Sequence, residues 1–186
     1  MKSIFQSLQV LPLKELDKLD GLITKKKLKK GDFLIQESQI SQEIVLIKSG
    51  ALRSFYINTE GEEITNCITF QNEFMAAFSS FITQKPTEEN IQALFDTELE
   101  VINHASIEHL YENSIYWQKV GRIVAEIQYM NLEKRILSFQ KLTGKERYET
   151  LFKNHPNYIQ LIPLQYLASF LGVTPRHLSR IRKAVL

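Results

Sequence analysis

The chain has 186 residues, a net charge of +2 and 44% hydrophobic residues, enough for one large domain or two small ones around an ordinary core. Cys67 is the single cysteine, which excludes an internal disulfide and an iron–sulfur cluster that draws several cysteines from one chain. No apolar run of about 18 residues and no signal-peptide pattern occurs, so the expectation is a soluble, cytoplasmic protein with no membrane partner. The charge is uneven. Residues 1–110 carry 11 Lys and Arg against 16 Asp and Glu, residues 111–143 carry 5 against 3, and residues 144–186 carry 7 against 2. A basic last segment joined to an acidic first part is the footprint of a nucleic-acid module on an acidic domain.

Residues 1 to about 20 read as a short amphipathic helix, with Leu13, Leu16 and Leu19 at helical spacing. From Leu22 to about Val101 the pattern changes to short β-branched and aromatic runs. These are Phe33–Ile35, Ile44–Ile47, Leu52–Ile57 and Ile64–Phe70, then Ile91–Phe95 and Leu99–Ile102. Turn signals at Lys30-Gly31-Asp32, Ser49-Gly50 and Asn58-Thr59-Glu60-Gly61 separate the early runs. Many short strands closely spaced predict a sandwich or closed barrel. Lys25, Lys26, Lys27, Lys29 and Lys30 allow two readings, a nucleic-acid patch or the solvated face of an edge strand guarded against aggregation. The second is preferred.

From Ile107 to about Leu142 there is no proline and one glycine, and helical periodicity returns. Tyr116, Val120, Ile123, Ile127 and Met130 alternate in steps of four and three, a coiled-coil seam of nearly two heptads. Trp117 and Val124 widen the stripe. One amphipathic helix on its own barrel would need only one stripe, so the seam is read as a homodimer contact. Thr143-Gly144 then ends the helix, Glu146 to Phe152 resumes as a short one, and Pro156 and Pro163 punctuate a connector up to Ile162.

Leu164, Leu167, Ala168 and Leu171 recur at the spacing of one buried helical stripe, and Gly172 supplies a left-handed stop. Thr174 caps a second helix with Pro175 at its first position. Two short helices on a tight turn predict a helix-turn-helix. On the second, Leu178, Ile181 and Val185 share one side, while Arg176, Arg180 and Lys183 take the other, flanked by Ser179. His177 and Arg182 stand near the edges, and no acid follows Gln160. Such a helix suits the major groove of double-stranded DNA. Arg176 and Arg180 are assigned to base edges with Ser179 assisting, and Arg182 and Gln165 to phosphates, with Thr174, His177 and Lys183 completing the contact set. The competing reading is a solvated basic face on a small helical domain.

Leu167-Ala168, Leu171-Gly172-Val173-Thr174 and Leu178-Ser179-Arg180-Ile181 resemble the DNA-binding domain of the cyclic-AMP receptor / fumarate-nitrate regulator (Crp/Fnr) family of bacterial transcription regulators. The Leu178–Lys183 ending, with Arg147-Tyr148 and Pro156, is similar to the branch common in Bacteroidetes. Arg180 takes the place of the family's recognition-helix Arg, while Pro175-Arg176 replaces its frequent Arg-Glu pair, so the operator is expected to differ. Most members carry a β-wing after this helix, and none is expected in a chain ending at Leu186. The spacing Gly31…Gly50…Gly61 is similar to the turn glycines of the family's jelly roll. The resemblance implies an α+β protein: a jelly-roll (double-stranded β-helix) sensor like a cyclic-nucleotide-binding domain over 1–106, a dimerisation helix over 107–142 and a helix-turn-helix over 143–186. It also implies RNA polymerase as a partner.

The family's cyclic-nucleotide signature is Gly-Glu-Leu followed by Arg-Ser-Ala. Here Asn72-Glu73-Phe74 stands for the first, and Thr87, Glu88 and Glu89 for the second. Between Phe81 and Asp96 the only cation is Lys85 against Glu88, Glu89 and Asp96, an environment that repels a phosphate. Cyclic AMP is therefore not expected, and no cofactor is. Glu73, Phe78, Phe81 and Thr87 are the candidate lining of a pocket for another small-molecule effector, unless side chains fill the space. Cys67 reads as a small core residue on a strand. His104, His109, His155 and His177 lack metal-ligand spacing, and no nucleophile–base pair is suggested, so neither metal nor catalytic residues are assigned. The expectation is a regulator, not an enzyme. A cyclic-nucleotide-gated activator, a cupin-type metalloenzyme and a sensory module with a vestigial helix-turn-helix remain as rivals.

Overall fold

A computed structural model describes residues 1–185, with side chains described for all of these except Asn157, Tyr158 and Val185. The first twenty residues form two short helices, α1 (Lys2–Ser7) and α2 (Leu13–Asp17), in place of one. Pro12 is the reason: it is extended and N-caps α2, and its ring cannot continue a helix from the preceding turn.

Eight strands follow, interrupted once. They are β1 (Thr24–Leu28), β2 (Phe33–Ile35), β3 (Glu43–Ser49), β4 (Leu52–Ile57), β5 (Glu63–Thr69) and β6 (Phe74–Met75), then α3 (Phe78–Thr83), β7 (Asn90–Ala93) and β8 (Thr97–Asn103). They pair antiparallel into two four-stranded sheets, ordered β1-β8-β3-β6 and β2-β7-β4-β5. Val45, Ile47, Leu52, Ile91, Leu99 and Val101 fill the space between them. Gly50 turns β3 into β4 at φ +89, where a Cβ would collide with Thr97 and the Asp96 carbonyl. The lysine run lies on and just after β1, an edge strand, where Lys26, Lys27 and Lys29 pair with Glu43, Glu98 and Asp96. β6 and α3 carry too few residues for a periodic signal.

The long helical stretch is divided into α4 (His104–Asn113) and α5 (Ile115–Lys141). Ser114 breaks it: its backbone is extended, and its hydroxyl donates to Glu15 Oε2 at 2.7 Å. α5 runs about 40 Å at 1.5 Å per residue. Next come α6 (Gly144–Asn154), α7 (Pro156–Ile159), α8 (Leu164–Leu171) and α9 (Pro175–Val185). Thr143 and Glu146 close a capping box that starts α6.

These last four helices pack on the outside of the barrel. Ile68, Phe70 and Leu94 join Tyr148, Ile162 and Leu167 in one buried cluster. α8 lies along β5, the edge strand of its sheet, and the Thr65 N–H donates to Ser169 Oγ at 2.9 Å. Phe70 stacks on His155 at 4.0 Å. Arg53, almost wholly buried, pairs with Glu63 at 2.7 Å and lies under the Tyr166 ring at 3.5 Å. An exposed sheet edge is thereby covered.

Candidate functional site

The outer side of α9 is built from the packing beneath it. Leu167, Ala168 and Leu171 of α8 are buried, and Leu178 and Ile181 of α9 join their cluster. Val185, expected on the same side, lies outside the described side chains. Gly172 ends α8 at φ +63, and a Cβ there would stand 2.5 Å from Phe139 Cε1, so both conformation and space require glycine. Thr174 Oγ1 accepts from the His177 N–H at 3.2 Å, one turn into α9. With Leu178 and Ile181 held inward, Arg176, His177, Arg180 and Lys183 are exposed, and Ser179 is half-buried. Gln165 is exposed in the first turn of α8. Among the described residues Arg176, Arg180 and Lys183 have no ion-pair partner.

Arg182 departs from its expected place at the phosphates. Its Nη2 donates to the Ile159 carbonyl at 2.9 Å, and its Nε is buried without a partner among the described residues. Ile159 closes α7, whose last carbonyls lack helical donors, and the guanidinium supplies one. Thr174 likewise has its hydroxyl committed to the cap.

α5 has two apolar faces. Trp117 and Val120 are buried with Phe5, Leu46 and Ile102, and Val124 packs against them. Val120 thus belongs to the barrel side and not to the outer face on which the sequence placed a dimer seam. It sits three residues after Trp117 and four before Val124, which fixes it on their face. Tyr116, Ile127 and Met130 are exposed, at 44%, 37% and 47%, and Ile123 is half-buried. Leu132, Ile136 and Leu137 continue the exposed apolar surface toward the end of the helix.

Between the barrel and the inner side of α5 lies a cavity of about 430 Å³. Phe5, Ile44, Phe74, Trp117 and Val124 make much of its wall apolar. Ser54 of β4, Cys67 of β5, Glu89 and Arg135 of α5 supply polar groups. Burial pushes the Glu89 carboxyl up, against a smaller opposing effect of its bond to Ser54. Burial also raises the Cys67 thiol, which keeps it protonated and poorly reactive. Arg135, lowered by burial, donates to the Phe170 carbonyl at 3.3 Å and lies over the Phe139 and Phe170 rings at 5.0 and 4.4 Å.

Of the residues expected to line a pocket, Phe78 does so and Glu73, Phe81 and Thr87 do not. Glu73 is exposed and accepts from the Phe70 N–H at 2.8 Å, tying its own turn. Phe81 is turned by α3 into the core, edge-on to His104 at 4.9 Å. Thr87 folds its hydroxyl back onto the Glu89 N–H at 3.1 Å, leaving Glu89 to reach the cavity. Arg135 and Arg53 are the residues that sequence reasoning missed. An arginine in the apolar run Leu52–Ile57 was the only visible signal for the latter.

Residues 25–114 match the cyclic nucleotide-binding domain. The barrel wall of the cavity belongs to that domain, and the opposite wall is α5. FixK2 from Bradyrhizobium japonicum has the same fold, with a TM-score of 0.76 at 14% identity over 88% of this chain and 84% of that one. A protein described as a Crp/Fnr-family transcriptional regulator from Eubacterium rectale gives 0.71 at 19% identity, over 95% and 84%. The c-di-GMP-responsive global regulator CLP of Xanthomonas campestris gives 0.64 at 13% identity, over 94% and 91%. No curated protein matches the chain. Its architecture is therefore that of an α+β protein with a cyclic nucleotide-binding β-sandwich and added helices. Among the described residues no group of three or more His, Cys, Asp or Glu could hold a metal ion, and no helix is long and apolar enough to cross a membrane.

Proposed function

We propose that the chain is a homodimeric, sequence-specific DNA-binding transcription regulator of the Crp/Fnr type that carries out no chemical reaction. One observation carries the reading: α9 exposes Arg176, Arg180 and Lys183 on the side opposite Leu178 and Ile181, with no ion-pair partner among the described residues. In a major groove Arg176 and Arg180 pair with guanine O6 and N7, Ser179 assists, and Lys183, His177 and Gln165 meet phosphates. Association through the outer face of α5 sets two copies of α9 about 34 Å apart, which calls for an inverted-repeat operator. The three neighbouring folds, described as regulators or by the name FixK2, support this, and the Leu178–Lys183 ending supports the branch common in Bacteroidetes. RNA polymerase is then a partner, and the protein is cytoplasmic.

The effector in this reading is not cyclic AMP, because Thr87, Glu88 and Glu89 stand where the resemblance calls for the phosphate-binding Arg-Ser-Ala. A cyclic-nucleotide-gated regulator is the second reading, favoured by the match over residues 25–114. Calorimetry with cyclic AMP and cyclic GMP separates the two.

The test of DNA binding is selection of bound sites from genomic DNA, repeated with Arg180→Ala. The substitution is expected to cost about 1–3 kcal/mol on the selected operator and to flatten the preference at one base pair per half-site. A wild-type chain that selects no sites refutes the proposal.

A further inference from the structure

The inner stripe of α5 changes character along the helix. Trp117, Val120, Val124, Gln128, Asn131 and Arg135 follow one another in steps of three and four, so they share one face, and all six line the cavity. The first three are apolar and the last three polar. Burial changes in the same direction: Trp117 and Val120 are buried, Val124, Gln128 and Arg135 are half-buried, and Asn131 is exposed. The cavity wall on α5 therefore runs from a buried apolar end to an open polar one. Eighteen residues part Trp117 from Arg135, about 27 Å at 1.5 Å per residue. Around the buried end, Phe5, Ile102, Ile107 and Leu110 join Trp117 and Val120 in one apolar cluster, with Phe74 and Val124 packed on it. Tyr111 sets its hydroxyl against α5 there, where a Cβ on Gly121 would stand 2.7 Å away. At the polar end Arg135 has no ion pair among the described residues, and its one hydrogen bond goes to the Phe170 carbonyl. The facing wall adds Ser54, Asn66, Thr69, Ser79 and Glu89.

We infer that this cavity binds a linear amphipathic carboxylate, with its apolar chain toward Trp117 and its head group on Arg135, Asn131 and Gln128. Asn131 lies one helical turn before Arg135 and Gln128 nearly one turn before that, so two amides stand beside the guanidinium. The planar fork of Arg135 matches a carboxylate bidentately. An alcohol of the same length would leave that guanidinium without an anion, and an amine would set a second cation beside it. A short acid would leave the apolar end unfilled. Burial pushes the Glu89 carboxyl up toward its neutral form, so the acid of the facing wall opposes an anion less than an ordinary carboxylate does. About 430 Å³ falls within the range of roughly 300–1,000 Å³ typical of small-molecule pockets. Occupancy also reaches the C-terminal helices, because the guanidinium that meets the head group is the one that holds the Phe170 carbonyl of α8. This deepens the regulator reading by naming its effector class, but the binding itself needs no DNA.

The experiment is calorimetry of the full chain with hexanoate, decanoate, decanol, decylamine and cyclic AMP, joined by the fluorescence of Trp117, the only tryptophan. Decanoate is expected to bind more tightly than hexanoate by about fourfold per added methylene. It is expected to bind more tightly than decanol or decylamine by about tenfold. Dodecanoate brominated at its chain end should quench Trp117 more strongly than dodecanoate itself. Arg135→Gln removes the charge and should erase the preference for decanoate over decanol. Because Arg135 also holds α8, a second variant leaves it in place: Val124→Phe narrows the path of the chain and should weaken decanoate more than hexanoate. Decanol or hexanoate binding as tightly as decanoate, tighter binding of cyclic AMP, no binding of decanoate, or no added quenching by the bromine overturns the inference. A chain that binds decanoate but selects no DNA site would keep this site and remove the regulator. One that selects DNA and ignores decanoate does the reverse.

Discussion

Arg180 and Arg182 stand two residues apart on α9, and the helix turns them to opposite surroundings. Arg180 is exposed, while Arg182 reaches back to the Ile159 carbonyl. Arg182→Ala should therefore lower stability by about 1–3 kcal/mol, read as a fall in melting temperature, because a buried carbonyl loses a charged donor. The salt dependence of DNA binding should stay as it was. A phosphate contact would instead lower that slope by about one unit per half-site. Glu89 makes a different residue-level case. Burial raises its carboxyl, so the folded chain holds that proton more tightly than the unfolded one. Its contribution to stability is complete below the ordinary glutamate value of about 4.3 and is lost as the pH rises through the raised folded value. Glu89→Gln and the wild type should thus melt together at acid pH, and the variant should melt higher at neutral pH. A gap that stays constant across that range contradicts the account.

Among the elements, α5 has the most to explain, with one face closing the barrel and the other apolar and exposed. Ile127→Lys with Met130→Lys alters only the exposed face, so the folded protomer should survive and the dimer should not. Sedimentation at micromolar concentration reads the difference, and a wild-type monomer there removes the seam from the argument. The strands and the α8–α9 pair were legible in the sequence because each carries its own periodicity and its own stop, as Gly50 and Gly172 do. The break at Ser114 was not, since it depends on Glu15 from a helix about a hundred residues earlier. The same holds for the cavity. Ser54, Cys67, Glu89 and Arg135 come from four separate segments, and no spacing along the chain announces that they meet. Val120 shows the remaining difficulty. A helical repeat tells which residues share a face, but not what that face will meet.

At the scale of the whole molecule, the acidic barrel and the basic last segment are in close contact. Ala51, Ile68 and Phe70 from the barrel share one cluster with Leu167, Leu171 and Leu178, and Arg53 is covered by Tyr166. The bond from Thr65 to Ser169 spans 104 residues of chain. Contacts of such separation slow folding, because the loop must be closed before the contact can form. On the ribosome the barrel emerges first, with the β5 edge and its apolar outer patch open to water until α8 follows. The helices proposed to face DNA are thus also the piece that completes the barrel's surface, and a nascent chain halted before residue 160 carries an unprotected strand edge ready to pair with another.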